Sequence, residues 1–193
     1  MKHFKPLFIA LIAFAAAACE TAPSPKLPEL TFTHLPPLTL AVSDIEIQYS
    51  FKPAMKEPYV DHVFPVPPQK ALRQWATDRL KSQGGTERAR FVVIDGSIKE
   101  DKFPIDKSFS AHFKKEQSER YEASVEAVLE FVDANGVVKG SASAKSSRST
   151  TVREDASLND REKIKFELVE KLMADFNLEM EKNIRRYAAN WIR

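Results

Sequence analysis

Residues 119–138 read ERYEASVEAVLEFVDANGVV, and their two-residue period decides the fold class. Tyr121, Ala123, Val125, Ala127, Leu129 and Phe131 fall on one phase. Glu122, Ser124, Glu126 and Glu130 fall on the other, with Val128 as the exception. Successive side chains of a strand point to opposite faces, so this alternation describes a strand with one covered face and one wet face. Asp133-Ala134-Asn135-Gly136 follows. Asn-Gly tolerates the positive φ of a tight hairpin turn, which sends the chain back antiparallel. Val137 to Val152 is the returning strand, with the small residues Gly140, Ala142 and Ala144 on one phase.

The covered face needs partners, and the flanking sequence supplies two helices. Downstream, Ser157 precedes an acidic first turn containing Asp160, the pattern of a capped helix start. Ile164, Leu168, Leu172, Phe176 and Met180 form one apolar stripe, widened by Val169, Met173, Ile184 and Tyr187. This predicts a helix from Leu158 to about Trp191, long enough to lie across a whole sheet. Upstream, Leu72, Trp75, Ala76, Arg79 and Leu80 recur at helical spacing, which predicts a helix over Gln69–Gln83 ended by Gly84-Gly85. Ala89–Lys99 is β-branched and short, a strand. Leu38–Phe51 alternates, with a phase change at Ser43-Asp44 that suggests a bulge within one strand. Residues 52–68 carry five prolines and read as a loop, as does the charged stretch 100–117.

The expected fold is therefore α+β: a two-layer sandwich in which a four-stranded, mostly antiparallel sheet is covered on one face by two helices, in the order β-α-β-β-β-α. The domain is expected to span residues 38–193. Residues 19–37 carry Pro23, Pro25, Pro28, Pro36 and Pro37 and read as an extended tether.

Location follows from the first residues, MKHFKPLFIALIAFAAAACE. Lys2, His3 and Lys5 precede twelve uncharged residues, Leu7–Ala18. A bilayer span needs roughly 18 or more, so this run fits the apolar part of a signal peptide over residues 1–18. Cys19 is the only cysteine and follows Ala16-Ala17-Ala18. The arrangement resembles the bacterial lipoprotein lipobox, which implies cleavage before Cys19, a diacylglycerol on its sulfur and an acyl chain, typically palmitate, on its new amino group. A plain secretory signal ending near Ala18 is the alternative. A free thiol is a liability in an oxidising compartment, which favours lipidation. In the lipoprotein sorting pattern Asp after the lipidated cysteine retains the protein in the inner membrane. Here the residue is Glu20, so the resemblance favours the outer membrane, with the domain facing the periplasm.

Lys2 and Lys5 account for the formal net charge of +2, so the mature chain is neutral and has no basic footprint for nucleic acid. His34, His62 and His112 are far apart and lack metal-ligand spacing. GSASAKSSRSTTV, residues 140–152, lacks the G-x-S-x-G setting of a nucleophilic serine and reads as a solvated strand face. Asp95, Glu100 and Asp101 offer a set of paired carboxylates, against which stands the plainer reading of an acid-rich, soluble strand end. The expectation is a non-enzyme without metal or cofactor other than covalent lipid on Cys19.

The strongest contact candidates lie in the 100–117 stretch, where Phe103, Phe109 and Phe113 interleave with Lys102, Lys107, Lys114 and Lys115. Such a mixture suits lipid head groups or a protein partner. Lys145, Arg148 and Arg153 form a second basic cluster without an intervening acid. Phe103, Phe109, Phe113, Lys114, Lys115 and Arg148 are thus the candidate partner or lipid contacts. Trp191 and Ile192, after Arg185-Arg186, are a further candidate for seating on a membrane or partner.

ALRQWATDRLKSQGG followed by ARFVVIDGSIKED, and YEASVEAVLEFVDANGVV followed by a strand and a long helix, are similar in kind to the outer-membrane lipopolysaccharide-assembly lipoproteins. In element order the likeness covers about residues 38–190. The chain also resembles ABC-transport auxiliary lipoproteins. Both resemblances imply a lipid-anchored accessory or adaptor subunit with an envelope barrel or transporter as partner, and neither implies catalytic residues. The alternative is a periplasmic module that binds a lipid or other amphiphile between sheet and helices, in space left by Gly140, Ala142 and Ala144.

Overall fold

The computed structural model describes residues 27–104 and 117–193. Its centre is the hairpin read above. Strand β6 spans Gln117–Val132 and β7 spans Val138–Arg153, antiparallel, with Phe131 opposite Gly140, Leu129 opposite Ala142 and Ala127 opposite Ala144. Every odd position of β6 from Tyr121 to Phe131 is buried, as its alternation requires. The turn closes at Gly136, whose φ is 81°, and Asp133 Oδ1 accepts the backbone N–H groups of Asn135 and Val137.

Two strands share the other edge of β6. Strand β4, Arg88–Asp95, pairs antiparallel with its second half, and β5, Ile98–Lys102, with its first half. The stretch expected as one strand over Ala89–Lys99 is thus interrupted at Gly96-Ser97. A register shift between Val93 and Asp95 begins the interruption. Gly96 is required there, because a Cβ would lie 3.0 Å from the backbone nitrogen of Gln69.

The segment expected as one bulged strand over Leu38–Phe51 divides into two strands of different sheets. Strand β2, Ile45–Tyr49, lies parallel to β4 at the edge of the main sheet. Strand β1, Leu38–Leu40, pairs in parallel with β3, Leu80–Ser82, in a separate two-stranded sheet. The phase change at Ser43-Asp44 therefore marks a change of sheet. Leu40 and Val42 are buried in the core, and Ile45 and Ile47 pack against it half-buried. The main sheet has five strands, and the expected four is corrected accordingly.

Two helices cover one face. Helix α1, Pro68–Arg79, starts with proline at its first position, where no intrahelical N–H is needed. It crosses from β2 to β4 and ends earlier than its periodicity suggests, because residues 80–82 turn extended to pair with β1. Helix α2, Leu158–Tyr187, has the capping box foreseen at Ser157 and Asp160. It stops short of Trp191, and Tyr187 is exposed rather than part of the apolar stripe. It runs antiparallel to β7 along β7 and β6, not across the whole sheet: Arg161 meets Glu119 at 2.5 Å, Asp175 meets Arg148, and Asn183 Nδ2–H donates to the Ser143 carbonyl at 2.8 Å. The architecture is α+β, an open mixed sheet with two helices on one face.

The helices run in the same direction and are held by a buried polar knot. Asn177 Oδ1 accepts from Trp75 Nε1–H at 2.8 Å and from Arg79 Nε–H at 3.1 Å. The same arginine donates to Glu181 and to the Pro36 carbonyl. Trp75 also packs against Phe91 and edge-on against Phe176, with ring centres 5.6 and 5.3 Å apart.

Candidate functional site

Tertiary structure gathers several chain entries and exits at one end of the domain. The N-terminal segment runs back along α1 from Pro36, beside Arg79, to Leu27. Phe32, inside the stretch expected as tether, is buried, and its N–H donates to Asp78 Oδ2 at 2.8 Å. Leu30 and Leu35 pack against the same core. The packed domain thus begins before residue 38. Leu27, Pro28 and Leu30 then border a groove of 1140 Å³ between the first turns of the two helices. Val66, Ala71 and Phe166 supply more of its apolar lining, and Glu167, Glu170 and Lys70 part of its polar rim.

Leu158 stands on that rim, 82% exposed. It is the first residue of α2, where the chain has just left β7. Val63, 59% exposed, lies in the short 3-10 turn Asp61–Val63 before α1. This turn is tied to β5, since Val60 N–H donates to the Ile98 carbonyl at 2.9 Å. Asp61 in the same turn is buried, and its Oδ1 has no hydrogen-bond partner among the described residues.

Phe103 lies just beyond β5 at this same end, 38% exposed, its N–H donating to the Ser118 carbonyl at 2.9 Å. Of the sequence candidates it is the one placed here. Cys19, Phe109, Phe113, Lys114 and Lys115 lie outside the described residues, as do Lys107 and His112. Residues 104 and 117, which flank the 105–116 stretch, are both at this end.

Behind Phe103 is a polar cluster that single-strand reading missed. Tyr121 O–H lies 2.8 Å from Glu119 Oε2 and 3.0 Å from Glu100 Oε1. Burial raises the phenol's pKa well above its ordinary value, and the two carboxylates raise it further. Glu119 is held by Arg161, whose guanidinium also donates to the carbonyls of Arg153 and Ala156. Lys165 sits over the rings of Phe64 and Tyr121. The cluster pins the start of β6 and the end of β5 to the first turn of α2. Its one sequence signal was Glu119 and Tyr121 on the same strand phase. Glu100 joins through the β5–β6 register, and its oxygen accepts from Tyr121 O–H. Asp95 instead accepts from Ser97 N–H at 3.1 Å, and Asp101 is exposed.

Arg148 is elsewhere. It lies on the helix-facing phase of β7, and its guanidinium grips both carboxylate oxygens of Asp175. Lys145 pairs with Glu126 and Arg153 with Asp155, each at 2.9 Å. The second basic cluster is thus three separate ion pairs. Exposed pairs of this kind are screened by solvent, so they anchor little and leave little net charge for a ligand. Trp191 is also reassigned. Its ring stacks on Phe131 at 4.4 Å over Gly140, and Nε1–H donates to Glu87 Oε2 at 2.9 Å. Ala41 N–H donates to the Trp191 carbonyl at 2.7 Å, and Arg193 N–H to the Thr39 carbonyl at 3.0 Å. Residues 191–193 therefore dock on β1 through an isolated antiparallel bridge, Leu40 opposite Ile192, at the end of the domain opposite Leu158.

The helix-free face of the sheet carries a second, shallower cleft of 600 Å³, lined by Tyr59, Lys99, Arg120, Glu122, Ser147 and Ser149 among others. Its serines are solvated, as the strand pattern suggested. Among the described residues, no group of three His, Cys, Asp or Glu side chains is placed to hold a metal ion, and no helix is long and apolar enough to cross a membrane.

No family model matches the chain, and no curated protein matches it. Among solved structures, a minor lipoprotein from Acinetobacter baumannii is similar at 12% identity and a TM-score of 0.38, over 78% of this chain and 94% of that one. A DUF330 protein from Xanthomonas campestris is similar at 11% identity and a TM-score of 0.30, over 77% of this chain and 93% of that one. Likeness at this level carries no argument about activity or partner.

Proposed function

We propose that the chain is a non-catalytic, lipid-anchored envelope lipoprotein, facing the periplasm and favouring the outer membrane, that serves as an adaptor or accessory subunit of an assembly or transport complex. The observation that carries this reading is the lone cysteine after an apolar run and three alanines, Ala16-Ala17-Ala18-Cys19, with Glu20 next. Diacylglycerol plus an acyl chain exceeds the two signals that stable anchoring requires. In support of a non-catalytic role, the carboxylates and guanidinium groups of the Tyr121 cluster are engaged with one another across three elements, which is an arrangement for holding strands to a helix. The partner is an envelope barrel or transporter, and covalent lipid is the sole attached group.

A second reading, an amphiphile-binding module, rests on the 1140 Å³ groove with its Leu27, Leu30, Val66 and Phe166 lining. The space over Gly140 is filled by Trp191.

The test is purification of the C-terminally tagged chain from crosslinked envelopes, with Cys19→Ala alongside. A stoichiometric membrane protein that is lost in the variant supports the adaptor. Co-purifying lipid without a protein partner supports the second reading. Unchanged membrane fractionation of Cys19→Ala overturns the anchor.

A further inference from the structure

We infer that the end of the domain bearing Leu27, Leu158, Val63 and Phe103 lies against the bilayer, so that the lipoprotein stands in one orientation with its chain-terminal end held away. The inference rests on the lipid-anchor reading and adds a surface to it.

Covalent reach is the first ground. Leu27 is eight residues after Cys19. Eight residues span at most about 28 Å when fully extended. Helix α2 has 30 residues, which makes the domain about 45 Å long in that direction. The chain enters at the α2 N-terminal end, where Leu27 shares the groove with Leu158. The opposite end, with the 133–136 turn and Trp191, cannot be turned onto the membrane by a leash shorter than the domain.

Surface chemistry is the second. This end exposes Leu158, Val63 and Phe103, and the opposite end exposes Val137, Val138 and Tyr187, so the leash selects between the two ends and the apolar rim supplies the contact. Apolar residues at such a rim enter the boundary between head groups and acyl chains. Three ion pairs lie nearby: Arg161 with Glu119, Arg153 with Asp155, Lys102 with Glu57 at 3.2 Å. The groove adds Glu29, Asp160, Glu162, Glu167 and Glu170 against Lys70 and Lys163, so this end has no basic excess, and its long basic side chains can keep their heads in water while their stems lie on apolar surface. The bilayer is thus met by apolar contact and covalent lipid rather than by a basic patch.

Cys19 is consumed by lipid in the mature protein, so an introduced cysteine is a unique labelling site. Leu158→Cys, Val63→Cys and, at the far end, Val138→Cys all replace exposed side chains. Each full-length lipidated protein is labelled with an environment-sensitive fluorophore and placed in phosphatidylethanolamine/phosphatidylglycerol vesicles containing nitroxide-headgroup lipid. The expected result is several-fold stronger quenching and a blue-shifted emission at 158 and 63 relative to 138. Equal quenching at all three positions, or strongest quenching at 138, overturns the orientation while leaving the anchor intact. Intact-mass measurement of the same samples separates the two readings, since a chain without lipid on Cys19 overturns the anchor and the orientation with it.

Discussion

Gly140 is a glycine because Trp191 occupies the place of its side chain. A Cβ there would lie 2.6 Å from Cη2 and Cζ3 of the indole, inside any real contact distance. The ring is also fixed from below by Phe131, the cross-strand partner of Gly140. Gly140→Val should therefore displace Trp191 and cost about 1–3 kcal/mol, the usual penalty of overpacking. Urea unfolding should show the lower midpoint, and tryptophan emission should shift red as the indole meets water. An unchanged midpoint and spectrum would show that the tail is not seated there. Arg79 presents the opposite case, a buried charge kept by its partners. Asn177, Glu181 and the Pro36 carbonyl surround it, and removing one partner of such a group costs more than the pair contributes.

At the scale of elements, helix α2 owes its start to a reciprocal cap. Ser157 Oγ–H donates to Asp160 Oδ2 at 2.6 Å and accepts from Asp160 N–H at 3.2 Å. The serine hydroxyl and its backbone N–H hold the Asp160 carboxyl below its ordinary pKa. A depressed carboxylate contributes stability that is present above its unfolded pKa and lost as pH falls through the folded value. Asp160→Asn should accordingly flatten the acid limb of stability. Comparing urea midpoints from about pH 5 down to about pH 2 should show a smaller loss in the variant than in the parent. Identical slopes would remove Asp160 as a contributor. The strand elements make a different point. Gly96 lets β4 end and β5 begin while α1 passes within van der Waals distance. The break therefore positions the helix N-terminus and, beyond it, the groove.

For the molecule as a whole, the boundary of the folded unit matters most. Phe32 is buried, with Leu30 and Leu35 packed beside it. A chain begun at residue 38 should lose at least the cost of emptying one buried phenylalanine site, about 3–5 kcal/mol. A chain begun at residue 27 should keep the melting temperature of the Cys19→Ala protein. Equal stability of the two truncations would return residues 27–37 to the role of a plain tether. The same packing shortens the free leash to the membrane, which is why it bears on orientation as well as on stability.

By itself, the sequence determined whatever depends on local periodicity and local chemistry. The alternation from Tyr121 to Phe131 matches the buried face, because a period of two leaves no choice of face once one face is buried. The Ser157 cap and the α2 stripe through Met180 are equally local signals. Only the tertiary structure decided which residues separated in sequence meet. Leu38–Phe51 looked like one bulged strand, since the phase change at Ser43-Asp44 is local but the pairing of its two halves with β3 and β4 is not. Arg148 looked free, since Asp175 lies 27 residues away on a helix. Trp191 looked exposed, since the cavity that receives it is the missing side chain of Gly140. Leu27, Val63, Phe103 and Leu158 share one end for the same physical reason. A sheet with helices parallel to its strands has two ends, and connectivity alone assigns each turn to one of them.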